Sequence, residues 1–163
     1  MADAQEPPTL THFQGHEIYP MPMFATIAVA EVDAVSAWYQ AALGFSVVFA
    51  APGGALVHLR RRKYQDLLIV PSRGGAAAAP GSLTISFAVD EEIEPLAERA
   101  RGAAPLGASS VTGPIATPWN TIDLRVMDPA GHQLVFTARN PHPDPEQAAR
   151  MKAMFDASRG ASD

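Results

Sequence analysis

His58 and Arg60 alternate along "ALVHLRR" (55–61), and Asp123 and Arg125 alternate along "TIDLRVM" (121–127). An imidazole or a carboxylate can move a proton or hold a metal, and a guanidinium can bind an anion or the polar rim of a ligand. A spacing of two puts each pair on one face of a strand. Trp119, flanked by Pro118 and Asn120, offers a different chemistry. A loop tryptophan can stack on a planar molecule while its indole N–H meets a polar atom. His132, just after the turn in "VMDPAGHQLVF" (126–136), is the remaining candidate for metal or proton work. Metal ligation, acid–base catalysis and aromatic recognition are therefore the three chemistries to weigh.

Strands must carry most of these residues, and the chain supplies them in a repeated order. Residues 1–22 read as an extended arm with Pro7, Pro8 and Pro20. A first module, 23–71, opens with a strand in "MFATIAVAEV" and continues with an amphipathic helix over about Asp33–Ala42, which Gly44 terminates. Three short strands follow in "FSVVFA" (45–50), "ALVHLR" (55–60) and "DLLIVP" (66–71). The low-complexity segment 72–82 is a linker. A second module, 83–140, repeats the order: a strand in "LTISFAVDE", a helix in "EEIEPLAERARG" interrupted near its start by Pro95, and an irregular stretch containing a strand. It closes with a hairpin pairing Thr121–Met127 with His132–Ala138. In that hairpin Asp128 accepts local backbone bonds, Pro129 presets φ, and Gly131 suits the turn exit. Residues 141–163 add a C-terminal helix and tail, with Met151, Met154 and Phe155 available for docking. The fold class expected is α+β: two βαβββ modules forming a cup-shaped mixed sheet with helices outside.

Composition narrows the function classes. The chain has 163 residues, 47% of them hydrophobic, enough to fill a core. With no cysteine, disulfides, thiolate metal sites and cysteine nucleophiles are excluded. A net charge of −5 argues against binding nucleic acid, and the basic run "LRRRK" (59–63) reads as a solvated hairpin end. The polar start of the chain suggests neither a signal peptide nor a membrane span, so a cytoplasmic location and no membrane partner are expected. The glycines of "PGGA" and "RGGAAAAPG" match no phosphate-binding spacing, and no serine has nucleophile-elbow context.

"VAEVDAVSAWYQAALGF" (29–45) and "VMDPAGHQLVF" resemble the start and end signatures of the vicinal oxygen chelate superfamily, which includes glyoxalase I, extradiol dioxygenases and bleomycin resistance proteins. The resemblance covers about Met23–Ala138. "GPIATPWNTIDLRVMDPAG" (113–131) is most similar to the bleomycin resistance branch, through its Gly-Pro segment, its Pro-Trp and its Asp-Pro-Ala-Gly turn. That branch implies a small homodimer that sequesters a planar or cationic antibiotic and does no chemistry on it.

Enzymes of the superfamily take metal ligands from the first and last strand of each module. Aligned by strand signatures, those positions are Phe24, Ile69, Thr84 and Val135, of which Thr84 alone carries a donor, and a weak one. No metal and no other cofactor is therefore expected. Alternation turns His132 away from the face of Val135, making it a structural residue. Trp38 lies on the buried stripe of the first helix, and Phe24 and Phe49 are candidates for an apolar cup floor. If the apolar residues of each strand face the helices, His58, Arg60, Asp123 and Arg125 face the cup. The reading is a metal-free protein that binds a small aromatic ligand through Trp119, Phe24, Phe49 and those four polar residues. The alternatives are a lyase, isomerase or dioxygenase of the same fold, including a metal-free acid–base catalyst using His58 and Asp123, and a ligand-sensing domain.

Overall fold

A computed structural model describes residues 12–13, 15–17, 19, 21, 23–74, 79–90 and 93–160. Pro7, Pro8 and Pro20 of the arm, and residues 75–78 of the linker, lie outside the described residues. Two short strands, β1 (His12–Phe13) and β2 (His16–Glu17), pair antiparallel in the arm.

The first module runs β3 (Ala25–Val29), α1 (Val32–Leu43), β4 (Ser46–Ala50), a single 3₁₀ turn, β5 (Val57–Arg60) and β6 (Asp66–Pro71). Its sheet has the order β3-β6-β5-β4, with β3 and β6 parallel and the other pairs antiparallel. Helix α1 forms because Val32, Val35, Trp38, Tyr39, Ala42 and Leu43 recur at three- and four-residue spacing and are all buried together. Gly44 ends it in the left-handed conformation, φ 71°, with its N–H bonded to Gln40 O at 3.2 Å. A side chain there would also displace the Arg99 guanidinium, which lies 2.7 Å from where a Cβ would stand.

The second module runs β7 (Thr84–Ala88), α2 (Ile93–Gly102), β8 (Ser110–Ala116), β9 (Thr121–Met127) and β10 (Gln133–Arg139), in the sheet order β7-β10-β9-β8. Pro95 does not interrupt α2: it sits in the first turn, where its missing N–H has no intrahelical acceptor to lose. The 128–131 turn closes through Gly131 N–H to Asp128 O, 3.1 Å, with Gly131 at φ 93°.

The architecture is the expected α+β duplication, with two four-stranded mixed sheets that stay separate. Cross-strand partners share a face, so the register sorts the side chains. Ile27, Val57, Leu59, Leu67 and Ile69 point to the helix side of the first sheet, as do Phe87, Leu124, Val126, Leu134 and Phe136 in the second. These two apolar faces share one core with α1 and α2. Phe45 meets Phe87 edge-on at 5.8 Å, Phe87 stacks on Phe136 at 5.3 Å, and Tyr39 OH donates to Asp128 Oδ2 at 2.8 Å, so groups of the first module seal the apolar face of the second. Each large side chain taken fully out of water there contributes roughly 1.5–3 kcal/mol.

Helix α3 (Pro145–Gly160) is capped by Asp144, whose Oδ1 accepts from the N–H of Glu146 at 2.8 Å. Met151 is half-buried, whereas Met154 and Phe155 are exposed. Among the described residues no helix is long and apolar enough to cross a membrane.

Candidate functional site: two polar sheet faces

On the side of the first sheet away from the helices, Phe49 stands opposite His58, His58 opposite Leu68, and Arg60 opposite Asp66. Asp66, whose side chain is 0% exposed, is the hub of this face. Its Oδ1 lies 2.7 Å from His58 Nε2 and accepts from Arg60 Nε at 2.7 Å, while Oδ2 accepts from Tyr19 OH at 2.6 Å. Burial alone would raise this carboxyl's pKa, but the hydrogen bonds from Tyr19, His58 and Arg60 outweigh it and hold the group below its usual value. Tyr19 is shifted up, by burial and then by its bond to the Asp66 carboxylate.

The arm thus lies on the first face. Besides Tyr19, Glu17 contributes its carbonyl to Arg60 Nη1 at 2.6 Å and its carboxylate to Lys63 Nζ at 2.8 Å. His58 retains only 14% of its side-chain exposure, while Phe49, at 42%, stays open. Phe24, just before β3, is also exposed.

The second face carries no such cover among the described residues. Asp123 and Arg125 sit on it opposite Thr137 and Val135. Asp123 Oδ1 accepts from Thr137 Oγ1 at 2.7 Å and from Thr121 Oγ1 at 3.2 Å, and Arg125 is exposed without a hydrogen-bond or ion-pair partner among the described residues. A register shift between Thr112 and Ile115 in β8 brings Ile115, itself exposed, opposite Asp123. Trp119 occupies the tight 117–120 connection between β8 and β9, pinned by Thr117 N–H to Thr121 O at 2.8 Å and by its own N–H to Thr117 Oγ1 at 3.2 Å. It is 64% exposed and lines a depression of about 570 Å³ with Thr121, Thr137, Arg139 and Met151, between the sheet and α3. The seven nominated residues therefore divide. Phe24, Phe49, His58 and Arg60 belong to the first module, Trp119, Asp123 and Arg125 to the second, and among the described residues no hydrogen bond joins the two polar sets.

One of the four metal positions needs correction. Ile69 is 0% exposed in the core, opposite Ile27 and Val57, so it faces the helices. The residues of β6 on the polar side are Asp66, Leu68 and Val70. Thr84 and Val135 do lie on the polar side of the second sheet, Thr84 Oγ1 donating to Gln133 Oε1 at 3.1 Å. The donor set does not fit a metal centre, since the Asp66 oxygens are already bonded to Tyr19, His58 and Arg60 and the other positions carry hydrocarbon or a hydroxyl. Among the described residues no three His, Asp or Glu side chains gather as a metal-binding group.

His132 is buried on the core side, its Nδ1 at 3.1 Å from Asp128 Oδ2 and its N–H donating to Asp128 Oδ1 at 2.7 Å. Trp38 is buried in the core. The basic run is more than a solvated hairpin end: Arg60 is buried on Asp66, and Arg61 donates to Leu43 O at 3.2 Å and lies 5.5 Å from the Phe136 ring centre. Asp66 and Tyr19 are the residues that sequence reasoning missed. An aspartate opening an otherwise apolar strand, six residues after an arginine across a hairpin, was the available signal for Asp66. Tyr19 had none, because an arm contact 47 residues distant leaves no local pattern.

No protein-family model and no curated protein matches the sequence. Solved structures do match. An integron cassette protein from the mobile metagenome of the Halifax Harbour sewage outfall is 25% identical, with a TM-score of 0.56 over 71% of this chain and 97% of its own. A bleomycin resistance determinant encoded on transposon Tn5 is 18% identical, with a TM-score of 0.58 over 72% of this chain and 96% of its own. A fosfomycin resistance protein from Listeria monocytogenes, solved with manganese, is 12% identical, with a TM-score of 0.59 over 82% of this chain and 99% of its own. The fold is shared with bleomycin resistance, fosfomycin resistance and lactoylglutathione lyase proteins, the bleomycin resistance determinant being one of several.

Proposed function

We propose that this protein is a metal-free small-molecule binder of the bleomycin-resistance type, which sequesters an aromatic antibiotic or related natural product as a homodimer and leaves it chemically unchanged. The observation that carries the reading is Trp119: a large aromatic side chain held on a short, hydrogen-bonded turn, exposed at the edge of a polar sheet face. Rigid aromatic anchors beside a few polar groups are what a planar ligand needs for tight, oriented binding. Arg125, exposed and without a partner among the described residues, and Ile115 supply a polar and an apolar contact on the same face.

The placement of the faces supports the homodimer reading. Both apolar faces share one core, so each polar face turns away from it, and a cup around a ligand needs the face of another chain opposite. Light scattering should then report about twice 17.3 kDa.

The test is a fluorescence titration with bleomycin and with an anthraquinone. Saturable quenching of tryptophan emission that disappears in Trp119→Ala is expected, with the ligand recovered unaltered. Chemical turnover of the ligand would favour the second reading, an enzyme of the same fold. Its support is the buried Asp66 carboxylate that orients His58, an arrangement suited to a general base.

A further inference from the structure

The contacts that Tyr19 makes with the first face are those a ligand would make. The phenol oxygen is held from two sides, donating to Asp66 Oδ2 and accepting from Tyr64 N–H, each at 2.6 Å. The Arg60 guanidinium lies 4.2 Å from the ring centre, and the Tyr64 ring meets it edge-on at 4.9 Å. The socket belongs to the folded module. Asp66 and Arg60 are buried on adjacent strands and bonded to each other at 2.7 Å, and Tyr64 is fixed in the connecting turn with φ 67°. The occupant belongs to the arm. Among its described neighbours, the arm is held by Glu17 on Arg60 and Lys63.

We propose that the Asp66–Arg60–Tyr64 socket is a binding site for phenols, and that Tyr19 is an intrachain ligand that competes for it. A phenol entering the socket needs an acceptor for its O–H, a donor for its oxygen and a cation over its ring, and all three are supplied. Tyrosine-like, catechol-like and salicyl-type rings form the ligand class. An arm that holds the socket closed lowers the apparent affinity by the fraction of molecules in which it is open. This site is independent of Trp119, which lies on the second module, so either can fail alone.

The experiment titrates full-length wild type, Tyr19→Ala and Tyr19→Phe with p-cresol, and with toluene as the ring lacking a hydroxyl, by ligand-observed NMR. Tyr19→Ala should bind p-cresol about tenfold more tightly than wild type, the gain expected when a competitor occupying most molecules is removed. Tyr19→Phe, which keeps the ring and loses both bonds to oxygen, should fall between them. Toluene should bind every form more weakly than p-cresol, and p-cresol should raise the melting temperature of Tyr19→Ala more than that of wild type. Equal p-cresol affinity in wild type and Tyr19→Phe would overturn the competition, and the Phe variant decides that point even if the Ala variant aggregates. Toluene binding as tightly as p-cresol would overturn the phenol socket.

Discussion

Among the described residues an aspartate in each module gathers a histidine and a tyrosine, with opposite uses. Asp66 gathers His58 and Tyr19 in the first. Asp128 gathers His132 and Tyr39 in the second. The Asp128 cluster lies on the core side, where Tyr39 comes from α1 of the other module, so its hydrogen bonds rivet the two halves together. The Asp66 cluster lies on the polar face, where Tyr19 comes from the arm, so its bonds fasten a strap. A buried carboxylate that gathers a histidine and a tyrosine is therefore structural or site-forming according to which face of the sheet it lies on.

Removing each carboxylate should expose that difference most strongly. Asp128 Oδ1 and Oδ2 accept from Tyr39 OH, Ala130 N–H and His132 N–H, with His132 Nδ1 beside them. Asp128→Ala would leave buried donors unsatisfied and should lower unfolding stability by about 3–5 kcal/mol. Asp66→Ala should cost less, because water and a released arm can satisfy its partners. Urea unfolding of both variants measures the gap, and equal losses would erase the distinction.

An intermediate effect is expected on the other side of the comparison. Trp119→Ala should weaken binding of an aromatic ligand by roughly 1–3 kcal/mol. At 64% exposure Trp119 adds little to the core, so the melting temperature should hold. Trp38→Phe should do the reverse, leaving affinity intact and lowering the melting temperature. A normal melt with unchanged affinity in Trp119→Ala would remove the second face as the ligand site.

The smallest and most graded effect is in pH. Asp66 is shifted below its reference value of 3.8, so its contribution is fully present above that value and is lost as pH falls through the lower folded value. Acid should therefore release the arm. Tyr39 is raised well above 10, by burial and then by the charge and hydrogen bond of Asp128. Its contribution is fully present below 10 and is lost as pH rises through the higher folded value. Alkali should therefore loosen the joint between modules. Limited proteolysis of the arm and near-ultraviolet circular dichroism of the core, followed across both ranges, should respond at opposite ends.

Much of this was legible without coordinates. The spacing of Val35, Trp38 and Ala42 marks a helix over about Asp33–Ala42 and its buried face, and Gly44 ends it for a conformational reason carried by one residue. Alternation in "ALVHLRR" and "TIDLRVM" places His58, Arg60, Asp123 and Arg125 on the face away from the helices, because the side-chain period of a strand is two. The same rule set His132 on the core side. These are local facts, decided within a few residues by backbone geometry.

What lay beyond reach was every relation between distant segments. The placement of Ile69 went wrong because a run of apolar residues, "LLIV", has no visible period, so only pairing with Ile27 and Val57 shows which of its members face the core. The hub role of Asp66 depends on strand register, and the docking of Tyr19 on a contact that skips 47 residues. The sequence by itself determined which elements form and which side chains share a strand face. Tertiary structure alone decided that the Asp66 end of one polar face is covered by the chain's own arm while Trp119 stands open on the other. Those contacts are made across space by groups whose neighbours in sequence carry no trace of them.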